Sequence, residues 1–487
     1  MLNRIALGAA LAALAALCPA QSLFDAQERR EVKATLKNDV HMEVGVPPYG
    51  SKGRKWQVRL TAQGSKWLYD YQHAQPPSDE EHSGWQNWID AKFAFDRAVA
   101  AHKADKLNGN VDSDTEDPGD TPADANFGDM GSVGGMNDLN EIAGPYAVTF
   151  NGESIENPGA MPDDLKSFMN GVEPTFAAAV KPLLYKVSFG EDAPVSFVDQ
   201  APVPERYLYF RAADGVISGG TPLKTYSDDD MADLCDKAGI DVSTWHVMRA
   251  VSSLEGGFDS INTYDTGYIS VGFIQFTTGA SGAGSLAKVL LSEKQNDPTA
   301  FKKDFQKYGI DVTEKGVLDV YNATHDEEQV GADAVQSVIH DKKLSGVFVH
   351  AGRESSAFKA AQLALAKQRY FSGDDTITLK LGGSKTPIRV GDVVKSEAGL
   401  AILMDRKVNT GGNGPLQSVM QRVADSCQAT CAEDLASHEG EIVAAVKFRR
   451  NFLADSNLSQ PGDVTNTTIA SRGGTYPRGR KKKTGGK

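Results

Sequence analysis

The spacing of hydrophobic and polar residues predicts a mainly helical C-terminal half. From Ser227 onward, apolar residues recur every three or four positions, as they do on the buried face of an amphipathic helix. The first helix is expected to begin at Ser227, which forms an N-cap pair with Asp230, and to end at Gly239. Later helices are expected near residues 284–293, 297–308, 326–341, 353–371, 396–409 and 415–453, the last with a break near Cys431.

A second helix follows the first one directly and ends at a carboxylate. Ser243 or Thr244 is expected to cap it, and Gly256-Gly257 stops it immediately after Glu255. Glu255 therefore lies at the end of an apolar helix, where burial and the negative end of the helix dipole both disfavour its charge. Such a side chain can stay protonated near neutral pH, as a general acid requires.

Strand-like patterns interrupt the helices and dominate an earlier segment. The apolar run at 268–276 has strand character, and two short strands are expected near 376–381 and 387–394. Residues 144–226 alternate short apolar runs with turns. The pattern predicts an α+β fold, with a mainly helical C-terminal domain that carries a small β-hairpin and a separate mixed region before it.

Composition divides the chain further, since 487 residues exceed what one core usually organises. Changes in charge and in glycine content mark the boundaries. The expected segments are a signal peptide at 1–20, a helical and aromatic region at 21–106, an acidic Gly-rich linker at 107–143, a short-strand region at 144–226, a catalytic domain at 227–455 and a basic tail at 456–487.

The first twenty residues are typical of a secretory signal peptide. Arg4 precedes an unbroken apolar run from Ile5 to Leu17, and cleavage is expected after Ala20. The run is shorter than the roughly 20 residues that a transmembrane helix needs. A lipoprotein would use Cys18, but Leu17 stands where a small residue is required. The protein is therefore expected to be secreted or periplasmic.

Charge and cysteine content exclude several function classes. The net charge of −13 argues against nucleic acid as a partner, because phosphate binding needs concentrated positive charge. The segment Arg472–Lys487 is the exception, with seven Lys or Arg and no acid, and it is expected to be a solvated extension or a tether to an anionic wall or membrane surface. Few cysteines and no clustered His argue against a disulfide framework, a metal site or another cofactor.

Aromatic residues are concentrated near the N-terminus. Aromatic faces stack on sugar rings, so a carbohydrate-binding platform is one interpretation, but the packing of a small helical core is favoured. Four of the five Trp residues lie in this region: Trp56, Trp67, Trp85 and Trp88.

The segment from Val251 to Thr278 brings the candidate chemistry together. Turn-rich sequence follows Glu255 and leads into the apolar run at 268–276, which is the order that a substrate cleft facing a helix end would require. Glycosidases with two carboxylates need a proton donor and a second group that acts as base or nucleophile. Asp265 is the best candidate for that second group.

This segment resembles the active-site core of the lysozyme superfamily, where a helix ends in the catalytic Glu and a hairpin returns to a Gly-x-x-Gln element, as in lytic transglycosylases. Here the element is Gly272–Gln275. It also resembles family 46 chitosanases, in which a Ser-Ser-x-Glu helix end is followed by an Asp before a Gly-Ile-Ile-Gly-Phe run, although the interval from Glu255 to Asp265 is several residues shorter. The resemblance implies that Glu255 is the acid and that Asp265 activates water in an inverting reaction.

The same resemblance implies substrate contacts in the turns, in the strand and in a later helix. The stretch Gly399–Gly411 is similar to the late helix of bacterial muramidases, where an Asp and an Asn flank the cleft. For that pair, ordinary positions on the helix surface are the favoured interpretation, and substrate contact is what the resemblance implies. The expected substrate-binding residues are Asp259, Asn262, Tyr264, Gln275, Thr277, Asp405 and Asn409.

The implied function is cleavage of the β-1,4 bonds of an amino-sugar polymer. Peptidoglycan is slightly preferred, because wall enzymes carry long accessory regions of this kind, and chitosan is the next candidate. An acidic cleft would suit polycationic chitosan, whereas the basic tail would suit an anionic wall. A non-catalytic glycan-binding protein on a lysozyme-like scaffold is the alternative.

Overall fold

The computed structural model describes residues 22–47, 55–74, 79–109, 147–150, 153–201, 212, 215–412, 414–446 and 449–462. The predicted signal peptide, nearly all of the acidic linker and the basic tail from residue 463 onward lie outside these residues. No helix in the described ranges is long and apolar enough to cross a membrane. The fold combines helices with several small sheets, which is compatible with the predicted α+β class.

The helices are distributed over the whole described chain, and most of them follow residue 227. They are α1 (Ala26–Asn38), α2 (Ala62–His73), α3 (Asp79–Leu107), α4 (Asp163–Phe168), α5 (Asp228–Ala238), α6 (Val242–Ser252), α7 (Ser285–Asn296), α8 (Pro298–Asp304), α9 (Ala332–His340), α10 (Lys342–Glu354), α11 (Ser356–Tyr370), α12 (Val390–Val393), α13 (Glu397–Thr410), α14 (Leu416–Cys427), α15 (Ala432–Ala436) and α16 (Glu439–Ala445).

The strands are short, and every pairing between them is antiparallel. They are β1 (Val40–Gly45), β2 (Gln57–Leu60), β3 (Val148–Phe150), β4 (Glu153–Ile155), β5 (Ala177–Val180), β6 (Leu183–Phe189), β7 (Val195–Asp199), β8 (Val216–Ser218), β9 (Ile261–Asn262), β10 (Ser270–Val271), β11 (Phe276–Thr277), β12 (Ile310–Val312), β13 (Leu318–Asn322), β14 (Glu327–Val330), β15 (Thr376–Leu381) and β16 (Ser384–Arg389).

One seven-stranded sheet crosses the boundary that the sequence places at residue 226. Its strand order is β1-β6-β7-β8-β9-β10-β11. Strand β1, expected in a separate N-terminal region, instead pairs with β6, and Val40 belongs to the same hydrophobic core as the helices after residue 227. The hairpin near Glu255 is therefore the continuation of a sheet that begins close to the N-terminus.

The N-terminal tryptophans form a second hydrophobic core, as favoured from the sequence. Trp67, Trp85 and Trp88 are each less than one-tenth exposed and pack with Leu165 and Phe176. Each indole N–H also donates a hydrogen bond, which satisfies the polar edge of a buried ring. These three rings are not available as a sugar-stacking surface.

Local signals predicted the first C-terminal helix correctly. Helix α5 is capped by the reciprocal Ser227 and Asp230 pair, and it ends at Gly239 in the left-handed conformation. The break predicted near Cys431 is also present, because Cys431 is the N-cap of α15.

Two predicted elements distant from Glu255 need correction. The helix expected at 326–341 begins only at Ala332, because residues 327–330 form β14 in a meander with β12 and β13. The strand expected at 387–394 ends at Arg389, where the chain enters the short helix α12.

Candidate active site

Helix α6 carries the candidate site at its C-terminal end and packs against α13. Its N-cap is Asp241 rather than the predicted Ser243 or Thr244, since the Asp241 carboxylate accepts a hydrogen bond from the backbone N–H of Thr244 at 2.7 Å. The predicted apolar face is fully buried and fixes the helix in the core; it consists of Trp245, Met248 and Val251.

Glu255 lies in a tight turn just beyond this helix, not in its last residue as predicted. The helix ends at Ser252, whose carbonyl accepts from the N–H of Glu255 at 2.9 Å and from that of Gly256 at 2.8 Å. Gly256 has a φ of 144°, which disfavours any residue with a Cβ. A Cβ on Gly257 would lie 2.1 Å from the Thr221 carbonyl oxygen. The two glycines thus let the turn press against the segment before α5.

The Glu255 carboxyl is mostly buried but remains partly accessible to solvent. Its side chain is 15% exposed, and Oε1 lies 2.5 Å from Nη2 of Arg449. Burial raises the pKa of Glu255, and the charges of Asp405 and Asp265 raise it further, whereas Arg449 lowers it. The net result is a carboxyl whose pKa lies above its ordinary value, beside a cation that stabilises its ionised form.

Asp405 and Asn409 support Arg449 from helix α13. Asp405 is 1% exposed, and its Oδ1 accepts from Nη2 of Arg449 at 2.6 Å and from Nε at 3.2 Å. Asn409 Nδ2 donates to the Asp405 carbonyl oxygen at 2.6 Å. The structure therefore places both predicted residues, Asp405 and Asn409, at the site. Asp405 is too buried to contact a polymer, and its carboxylate instead binds the Arg449 guanidinium.

Sequence reasoning missed Arg449. The one signal in the sequence is the pair Arg449-Arg450 after the last apolar stretch, and both residues fall within the helix predicted at 415–453. In the structure α16 ends at Ala445, and Arg450 donates to Ser253 Oγ beside Glu255.

Asp265 lies in the turn between β9 and β10 and is held there by three donors. Its Oδ1 accepts from the N–H of Gly267 at 2.8 Å and from Ser270 Oγ at 3.3 Å, and its Oδ2 accepts from Asn262 Nδ2 at 3.2 Å. Hydrogen bonds from neutral donors favour the ionised form of a carboxylate. Asn262 therefore lies at the site as a hydrogen-bond donor to Asp265. The charge of Asp265 in turn raises the pKa of Glu255.

The segment predicted as one strand at 268–276 is instead a short hairpin, in which β10 and β11 pair antiparallel around a turn. Gly272–Gln275 form this turn, which Gln275 N–H closes on the Gly272 carbonyl at 2.9 Å. Gln275 has a left-handed φ of 55°, and its Nε2 donates to Ser260 Oγ at 2.7 Å. Such local strain persists only where the surroundings impose it. Thr277 follows in β11, half-buried and paired with Ser270.

Two residues predicted to contact substrate, Asp259 and Tyr264, are buried in the structure. Asp259 is 2% exposed, and its Oδ1 accepts from the backbone N–H of Thr221 at 2.6 Å. Tyr264 is also 2% exposed, and its hydroxyl donates to Asp199 Oδ1 at 3.1 Å. Both side chains tie the site loop to the earlier strands and have no surface that a polymer could reach.

No group of three or more His, Cys, Asp or Glu side chains among the described residues could hold a metal ion. Among the described residues, Cys235, Cys427 and Cys431 form no disulfide bond. No protein-family model, no curated protein and no solved structure matches the chain.

Proposed function

We propose that this chain is an exported glycoside hydrolase that cleaves β-1,4 bonds of an amino-sugar polymer, with Glu255 as general acid. The observation that carries the proposal is the Glu255 carboxyl, which is 15% exposed and has a raised pKa. A general acid needs a carboxyl that is protonated near the working pH and still within reach of the glycosidic oxygen. Asp265, whose carboxyl oxygens accept three hydrogen bonds in the turn after β9, is the candidate base that activates water.

Arg449 adds a specific contribution to the proton transfer. When Glu255 gives its proton to the glycosidic oxygen, a negative charge develops on its carboxylate. The Arg449 guanidinium, 2.5 Å away, stabilises that charge as it forms. Asp405 keeps the guanidinium oriented through two nitrogens. Arg449 thereby strengthens Glu255 as an acid without contacting the reacting bond.

The substrate class is the β-1,4-linked amino-sugar polymers, with peptidoglycan as the first candidate. The local charge favours chitosan as a second candidate. Asp405 and Arg449 largely neutralise each other, so that the Asp265 carboxylate leaves an acidic surface, which attracts a polycation.

The test compares the wild-type protein with Glu255→Gln on purified peptidoglycan and on chitosan, with release of reducing ends as the readout. Glu327→Gln, an exposed glutamate on β14, is the matched control. We expect release from one polymer by the wild type and by the control, and a loss of about 100-fold or more in the Glu255 variant. If the wild type binds a polymer without releasing reducing ends, the chain is a glycan-binding protein and the hydrolase proposal fails.

A further inference from the structure

Strand β1 forms one outer edge of the seven-stranded sheet, and no described strand pairs with its free side. The strand and the residue after it expose an apolar row, since Met42, Val44 and Val46 are 40%, 54% and 44% exposed. Side chains two positions apart point to the same face of a strand. An exposed apolar edge strand is a template for pairing with another strand.

The free hydrogen-bonding groups of β1 belong to those same residues. Val40 lies opposite Phe189, so Asp39 lies opposite Gly190, and the Gly190 N–H donates to the Asp39 carbonyl at 2.8 Å. In an antiparallel pair, bonded and non-bonded positions alternate. The odd-numbered residues of β1 therefore bond to β6, and Met42, Val44 and Val46 direct their N–H and C=O groups away from the sheet.

We propose that β1 pairs antiparallel with β1 of a second copy of this chain, about a two-fold axis through Val44. In that register Val44 lies opposite the partner's Val44, and Met42 lies opposite the partner's Val46. The outward N–H and C=O groups then meet their counterparts, and the apolar row becomes continuous across both copies. The two sheets join into one.

Charge and local structure select this register. A two-fold axis through Glu43 would place two carboxylates directly opposite each other, which is unfavourable. An axis through Met42 would bring the end of helix α1, at Asn38, into the strand pairing. With the axis at Val44, Glu43 faces the partner's Gly45, and its charge is offset across the strands by Lys186.

The exposed stretch of the edge lacks most devices that block such pairing, and Pro47, directly after Val46, limits the pairing to Met42–Val46. Proteins usually protect an edge strand with lysine, proline, a bulge or an inward-pointing charge. The stretch from Met42 to Val46 contains no lysine and no proline, and its register with β6 runs without a bulge. The strand is therefore complementary to itself, which favours a second copy over an unrelated peptide as its occupant.

The test is the oligomeric state of the purified protein, measured by light scattering coupled to size exclusion from about 1 to about 100 µM. We expect a dimer that dissociates on dilution. Val44→Lys should raise the dissociation constant about tenfold or more, because it places like charges across the axis. Val172→Lys is the matched control, since Val172 is 52% exposed outside the sheet and should leave the dimer unchanged.

A second variant separates loss of pairing from loss of folding. The N–H of Val44 points away from β6, so Val44→Pro removes no hydrogen bond within the sheet and should fold while failing to dimerise. Amide exchange supplies an independent readout: Met42, Val44 and Val46 should gain protection as the concentration rises, whereas His41 and Glu43 should be protected throughout. A monomer at about 100 µM, or a dimer without this protection, overturns the proposal.

Discussion

Arg449 is anchored on the buried Asp405 by two of its nitrogens while one of them, Nη2, also contacts Glu255. The Nη2 atom lies 2.6 Å from Asp405 Oδ1 and 2.5 Å from Glu255 Oε1. The two carboxylates differ in exposure, at 1% for Asp405 and 15% for Glu255. One guanidinium therefore belongs to a structural ion pair and also contacts a candidate catalytic acid, and both Asp405 and Arg449 shift the pKa of Glu255.

Removal of Arg449 should move the alkaline limit of the proposed activity upward. A general acid must be protonated, so activity falls as the pH rises through the pKa of Glu255. Arg449 lowers that pKa, and Arg449→Gln should therefore shift the falling limb of the pH profile of kcat/KM to higher pH, with a lower maximum. Arg450→Gln is the control, because Arg450 contacts the turn through Ser253 and not through Glu255. An unchanged limb would contradict this role of Arg449.

Removal of the Asp405 charge should shift the same limb in the opposite direction. Asp405 raises the pKa of Glu255, and it also competes for Arg449. In Asp405→Asn the guanidinium acts mainly on Glu255, so the pKa of Glu255 falls and activity is lost at lower pH than in the wild type. Parallel shifts in the two variants would show that Asp405 and Arg449 do not act on Glu255 in opposite senses. The readout is again the pH dependence of kcat/KM.

The local part of the site could be predicted from the sequence. The apolar face of α6 and the Gly256-Gly257 stop placed Glu255 at a helix end to within three residues, because both signals come from neighbouring residues. Arg449 could not be found in this way, since it is 194 positions from Glu255 and reaches it only through the packing of α13. The prediction that Asp259 and Tyr264 contact substrate was wrong. It rested on their polar side chains, whereas their burial depends on segments distant in sequence.

The sheet was the least predictable part of the fold. Its strand order places β1 beside β6, and this pairing joins residues 139 to 149 positions apart that no local pattern connects. The sequence of strand β14, Glu-Glu-Gln-Val, has no apolar alternation and therefore does not indicate a strand. Only its pairing with β13 defines it as a strand.

The contact between the Glu255 turn and the Gly219–Thr221 segment should depend on the absence of a side chain at Gly257. An added Cβ would lie 2.1 Å from the Thr221 carbonyl oxygen, a backbone atom that cannot rotate away. Gly257→Ala should lower the free energy of unfolding by about 2 kcal/mol. Gly219→Ala is the control, since its Cβ would meet no atom within 4 Å. Equal losses in urea unfolding would refute the close-contact explanation.

A buried carboxyl on helix α7 should make the protein less stable as the pH rises. Glu293 is 1% exposed, and burial together with the nearby Asp304 raises the pKa of Glu293 to about 9. The unfolded chain has a pKa near 4.3 for this group, so the folded state binds the proton more tightly between the two values. The stabilisation is complete below about pH 4 and is lost progressively as the pH approaches about 9.

Glu293→Gln should remove this dependence, because the amide does not ionise. At about pH 8 the variant should unfold in urea with a free energy up to about 5 kcal/mol above that of the wild type, and near pH 4 the two should agree. Glu314→Gln, at an exposed position on the neighbouring β12–β13 turn, should match the wild type at both pH values. A Glu293 variant that is destabilised at about pH 8 would mean that the buried carboxylate is ionised and paired in the folded protein.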